Sequence, residues 1–104
     1  MDARGAAAVL ESGEAVALDV REPREWQAGR MPGALHVPMR ELGRRVQELP
    51  RDRTIVAVCR SGNRSRAVTD ALRRAGYRAE NLEGGLQAWA RAGLPLEPPG
   101  GRVA

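Results

Sequence analysis

The run Thr54-Ile-Val-Ala-Val58 constrains the fold of this chain more than any other stretch of it. It is β-rich and, after Thr54, continuously apolar. A half-exposed strand alternates apolar and polar residues. A run without alternation predicts a strand covered on both faces, as in parallel sheets. The rest of the chain supplies partners for such a strand. Ala3–Ser12 is an Ala-rich helix candidate stopped by Gly13. Ala15–Leu18 reads as a short buried strand ending in Asp19. Pro23 suits the first turn of a short helix through Trp26 and Ala28, with Gly29 as its end. Met31-Pro32-Gly33 is a turn, and Ala34–Val37 is a second short strand. Met39, Leu42, Val46 and Leu49 fall at helical spacing before Pro50. Ala67, Val68, Ala71, Leu72 and Ala75 mark one face of a further helix, followed by Gly76. Ala79–Leu82 is a weak strand, and Leu86, Trp89 and Ala90 mark a last helix ended by Gly93 and Pro95. Short strands alternating with helices predict an α/β domain with a parallel sheet and right-handed crossovers.

The 104 residues suit one domain with one core, and exclude a two-domain enzyme. The tail from Leu94 to Ala104, rich in Pro and Gly, reads as a loose end. The longest apolar runs, Ala6–Leu10 and Ile55–Cys59, are five residues each, whereas a membrane span needs about 20. Asp2, Arg4 and Glu11 surround the first of these runs, which is too short and too charged for a secretory signal. A soluble, cytoplasmic protein is expected. The net charge is +4, and every basic residue is Arg because Lys is absent. Phe is also absent, Ile occurs once and Asn twice. These residues share A/T-rich codons, so a G/C-biased genome accounts for the skew. With only two Trp and one Tyr and no clustered basic stripe, the charge gives no reason to expect a nucleic-acid partner. One cysteine excludes an internal disulfide, a Cys-x-x-Cys redox pair and a cysteine-rich zinc site. The lone His36 makes no metal site, and a structural role is expected for it. No metal and no cofactor is expected.

The chemistry-bearing residues concentrate in Cys59-Arg60-Ser61-Gly62-Asn63-Arg64-Ser65. The only cysteine stands at the carboxyl end of the central strand, ahead of a short polar loop and a helix. Ligands of open α/β sheets bind at that end. Gly62 allows backbone conformations closed to other residues. Successive amides in such a turn can form an anion nest, and the following helix adds its positive end. Arg60 and Arg64 bring full charges. All of these favour thiolate over thiol, with a cysteine pKa of roughly 3.5–7.5 in such surroundings. A buried structural cysteine is the competing reading, and the flanking Arg, Gly62 and helix start argue against it. Tyrosine phosphatases place an arginine six positions after their cysteine. Here that position holds Ser65, and Arg64 falls one too early.

Three segments together resemble the rhodanese family of sulfurtransferases, specifically its single-domain members. They are Leu18-Asp-Val-Arg-Glu-Pro-x-Glu-Trp26 followed by Gly29-Arg-Met-Pro-Gly-Ala34 and Val37-Pro38, then Cys59–Ser65, then Leu82-Glu-Gly-Gly-Leu-x-Ala-Trp89. The resemblance implies a rhodanese-like three-layer α/β domain over residues 1–104, its central parallel sheet of four to five strands flanked by helices. It also implies sulfur transfer through a persulfide on Cys59. Two departures stand out. Gly29-Arg30 replaces the family's usual Gly-His, at a position read as structural. The chain also opens almost at its first helix, so the first edge strand is expected to be missing.

On this reading Cys59 takes a sulfane sulfur from a small anionic donor such as thiosulfate and passes it to a thiol, cyanide or protein-thiol acceptor. Arg60, Ser61, Gly62, Asn63, Arg64 and Ser65 form the binding loop, with Arg60 at the mouth and Arg64 turned inward to Asp19. Asp19, Arg21 and Glu83 are supporting residues. Arg21 is expected to pair with Glu22 or Glu25, and Glu83 to line the mouth beside Gly84-Gly85. Trp26 and Trp89 are expected as core anchors. The alternatives are a persulfide carrier serving a protein partner and, against the loop spacing, a phosphatase or arsenate reductase.

Overall fold

In the computed structural model, which describes residues 1–104, helix α1 (Ala3–Glu11) leads into strand β1 (Ala15–Asp19). Then come helix α2 (Pro23–Ala28), strand β2 (Leu35–His36), helix α3 (Leu42–Arg45) and strand β3 (Thr54–Val58). Helix α4 (Asn63–Arg74), strand β4 (Ala79–Asn81) and helix α5 (Gly85–Arg91) complete the order. The strands form one parallel sheet, β2-β1-β3-β4.

The unalternating run of β3 is divided between two cores. Ile55, Ala57 and Cys59 join Leu18, Leu42, Val68 and Leu72 on one face, under α3 and α4. Val56 and Val58 join Ala6, Leu82, Leu86 and Trp89 on the other, under α1 and α5. Both faces are dry, which is why neither parity of the strand can be polar. Register brings the carboxyl ends of three strands to one edge. Asp19 pairs with Val58, and Ala57 with Asn81, so the residues after β3 meet the ends of β1 and β4.

Two expectations need revision. The helix predicted by Met39, Leu42, Val46 and Leu49 is broken into 3-10 turns at Met39–Glu41 and Val46–Glu48 around the four-residue α3. Gly43 lies at its centre and no side chain caps it, and a mid-helix glycine costs about 1 kcal/mol. Leu94–Ala104 is not loose. Leu94, Leu96 and Val103 pack on the second core, Arg30 and Glu97 exchange main-chain hydrogen bonds, and Arg102 N donates to Ala28 O (2.9 Å). Trp89 Nε1 also donates to Pro95 O at 2.8 Å. The apolar residues between the prolines and glycines hold the segment down. The sheet has four strands, within the expected four to five, and Met1 lies beside the end of β4, donating to Asn81 O (3.2 Å) and accepting from Glu83 N (2.8 Å).

Candidate active site

Cys59 follows the last residue of β3, and its main chain is gripped from the opposite side by α5. Leu86 N donates to Cys59 O (2.8 Å) and Gln87 N to Arg60 O (3.0 Å). The grip requires backbone-to-backbone approach. A Cβ at Gly85 would stand 2.5 Å from Arg60 O and 2.6 Å from Cys59 O, and φ at Gly85 is +61°. Gly62 turns the chain into α4 with φ +98°, the left-handed region that costs glycine little.

The curled loop points hydrogens at sulfur. Gly62 N (3.1 Å), Ser65 N (3.4 Å) and Ser65 Oγ (3.3 Å) all donate to Cys59 Sγ. Cys59 is only 1% exposed. Burial pushes the thiol up, but hydrogen bonds from the Ser65 hydroxyl and from the amides of Ser65, Gly62 and Ser61 outweigh it, leaving the thiol below its ordinary value. The site is therefore a buried sulfur in a polar cradle rather than a sulfur sealed in hydrocarbon. Ser61 and Asn63 are exposed on the rim.

Arg64 does turn inward, but to Glu25 and not to Asp19. Arg64 Nη1 and Nη2 donate to Glu25 Oε1 and Oε2 at 2.8 and 2.9 Å. The hydrogen bond from Arg64 holds the Glu25 carboxyl down at about 2, against opposing burial. Asp19 has no oxygen to spare. Arg21 takes both through Nε (2.9 and 3.0 Å) and Nη2 (2.7 Å), while Arg21 N adds a bond to Oδ1. Arg21 thus pairs with Asp19, and not with Glu22 or Glu25, and it also donates to Gly29 O (2.8 Å). Glu22 is held by Arg40 instead. The Asp19–Arg21 pair is 1% and 0% exposed, a buried ion pair held by these hydrogen bonds, with Arg21 Nη1 alone left without a partner.

Glu83 is exposed and is engaged by the amino terminus (3.7 Å) and by Arg66 (3.6 Å), the residue that follows Ser65. Arg60 is exposed; its Nε donates to Ala104 O (3.0 Å). With Arg24, Glu25, Ala28, Arg102 and Ala104 it lines a cavity of about 430 Å³. Trp89 is a core residue as expected, whereas Trp26 is half-buried and stacks on His36, ring centres 4.5 Å apart. His36 Nε2 donates to Arg21 O (2.8 Å). The Arg30 guanidinium lies over the Trp26 ring, 5.1 Å from its centre, and Arg30 Nη1 donates to Trp26 O (3.2 Å).

Two residues of the site escape sequence reading. Glu25 sits in the first turn of α2, where its side chain also accepts from Glu22 N as part of a capping box. Asn81 ends β4, one strand over from Cys59. Its Oδ1 accepts from Ser65 Oγ and its Nδ2 donates to Gly62 O (3.1 Å). A polar residue closing a buried parallel strand, at the same edge as the cysteine, is the signal that marks Asn81.

A family model described as the rhodanese-like domain matches residues 2–92. A sulfurtransferase of Allochromatium vinosum is 42% identical over 94 residues, covering 89% of this chain and 88% of its own. The crystal structure of a rhodanese-related protein from Thermoplasma volcanium superposes with a TM-score of 0.87 at 31% identity, over 92% of this chain and 94% of that one. A thiosulfate sulfurtransferase from Pseudomonas aeruginosa gives a TM-score of 0.85 at 34% identity, over 99% of this chain but 20% of that longer one. The chain belongs to the rhodanese-like domain family.

Proposed function

We propose that this protein is a sulfurtransferase in which Cys59 carries the transferred sulfur as a persulfide. The observation that carries the reading is the convergence of Gly62 N, Ser65 N and Ser65 Oγ on one buried sulfur. Hydrogen bonds to a charged acceptor are each worth about 1.5–3 kcal/mol, and they favour the thiolate that attacks. The Allochromatium and Pseudomonas relatives, named as sulfurtransferases, support the same chemistry.

The thiolate attacks the outer sulfur of an anionic donor such as thiosulfate. A bond forms to Sγ, the donor's S–S bond breaks, and sulfite leaves with the bonding pair. Sulfite is a good leaving group, so no general acid is needed. A thiol or cyanide acceptor then attacks the outer sulfur and Sγ departs as thiolate, giving ping-pong kinetics. The loop amides hold the charge in both steps, as an oxyanion hole does for oxygen. Arg24, Arg60 and Arg102 around the adjoining cavity draw in the anion; Glu25, the acid there, is already neutralised by Arg64.

Intact mass after incubation with thiosulfate tests this. The protein should gain one sulfur, lose it on adding cyanide or a thiol, and gain none as Cys59→Ser. A Cys59→Ser protein with near wild-type transfer overturns the reading. Turnover with thiosulfate and cyanide, set against transfer to protein thiols, separates an enzyme on small molecules from a carrier.

A further inference from the structure

Ser65 Oγ carries one hydrogen and faces two acceptors. Asn81 Oδ1 and Cys59 Sγ both accept from it, the nitrogen-bearing side of Asn81 being fixed by its bond to Gly62 O at 3.1 Å. A reversed amide would set Oδ1 against the Gly62 carbonyl oxygen, so Asn81 can only accept from Ser65. Ser65 is fully buried and Asn81 nearly so, which leaves no bulk water to take either part. One hydrogen cannot serve both acceptors fully. Which one receives it depends on the charge at Sγ.

We propose that Asn81 is a positioning residue that gives the Ser65 hydroxyl a second resting place. The hydroxyl hydrogen points to Asn81 Oδ1 while Sγ is bonded to hydrogen or to a transferred sulfur. It swings to Sγ whenever that atom is a thiolate. The persulfide state of this switch rests on the proposed sulfur transfer. When the donor's outer sulfur bonds to Sγ and sulfite leaves, charge moves to the outer sulfur and the hydroxyl returns to Asn81. When the acceptor removes that sulfur, Sγ leaves with the bonding pair and the hydroxyl swings back. Only the hydroxyl rotates; no proton changes owner. Without Asn81, the hydroxyl would have no partner of comparable strength while Sγ is uncharged, and a buried unsatisfied hydroxyl is costly.

A double-mutant cycle tests the switch through the Cys59 titration, read as thiolate ultraviolet absorbance in wild type, Asn81→Ala, Ser65→Ala and the double variant. Asn81 competes with the thiolate for the hydroxyl. Its removal should therefore lower the thiol pKa more when Ser65 is present than when it is absent, by roughly 0.5–1 pH unit for one hydrogen bond. Arg60, Arg64, Glu25 and the Asp19–Arg21 pair, the charged groups around the loop, are common to all four proteins and cancel in the comparison. A purely structural Asn81, acting through Gly62 O, shifts the titration equally in both backgrounds, and that result overturns the proposal, as does a coupling of opposite sign. Circular dichroism checks the fold, and Asn81→Leu, which keeps the branch at Cγ without a hydrogen-bonding atom, replaces Asn81→Ala where the latter is unfolded. Absence of a sulfur gain in wild type with thiosulfate would instead sink the sulfurtransferase reading and leave the thiol-state half of the switch standing.

Discussion

Replacing Glu25 by Gln isolates what the Glu25–Arg64 pair contributes to the loop. Arg64 ties α4 to α2 through two hydrogen bonds of 2.8 and 2.9 Å. The carboxyl lies at about 2 rather than its ordinary 4.5. By linkage such a drop corresponds to about 3 kcal/mol of stability at neutral pH. Arg64 is 38% exposed, so solvent screens part of this, and about 2 kcal/mol is the expected loss in Glu25→Gln. The sign follows from a folded-state pKa below the unfolded one. The contribution is fully present above the unfolded value, fades as pH falls below about 4.5, and is nearly gone at about 2. Urea unfolding of both proteins between neutral pH and about pH 3 measures it. The gap between them should be constant near neutrality and shrink by more than half at the acid end. A gap below about 0.5 kcal/mol at neutral pH, the scale of an ordinary surface ion pair, refutes the argument. A gap independent of pH refutes it equally, because the loss would then come from packing.

Other perturbations probe other parts. The Cys59 thiolate should persist to lower pH in the native protein than in urea, seen as ultraviolet thiolate absorbance; coincident titrations would mean the cradle does not act on sulfur. Gly85→Ala drives a Cβ against Arg60 O and Cys59 O at positive φ, and should cost about 3 kcal/mol or more in urea unfolding. A loss under about 1 kcal/mol would show that the loop yields easily. Gly29→Ala sets a Cβ 2.5 Å from Arg102 N. Proteolysis within residues 94–104 should rise while the rest of the chain stays resistant, and unchanged cleavage would deny that this contact holds the segment.

The parallel sheet and the cysteine loop are legible in the sequence because their signals are local. Thr54–Val58 shows its double burial in its own composition, and Gly62 marks the turn into α4 beside the residue it serves. Partner choice is not local. Arg64 reaches Glu25 across 39 positions, and the Asp19 expected for it is consumed by a neighbour two residues away. Arg21 folds back on its own strand end, a contact that no local pattern announces. The tail misleads for a related reason: its Pro and Gly content describes a flexible chain, whereas Leu94, Leu96 and Val103 find a surface made by residues far earlier. Asn81 carries a sequence signal, a polar side chain closing a buried strand. Its meaning depends on a register that places it beside Ser65.

The clasp of α5 on the Cys59 loop has a consequence for biosynthesis. The carbonyls of Cys59 and Arg60 are held by amides of Leu86 and Gln87, which are translated more than a second later at about 5–20 residues per second. A nascent chain that has just released α4 owns every donor to the sulfur but lacks the brace behind it. The bowl is finished only when the last helix arrives, so a ribosome-stalled product ending before Leu86 would expose a more reactive, less sheltered thiol than the completed protein.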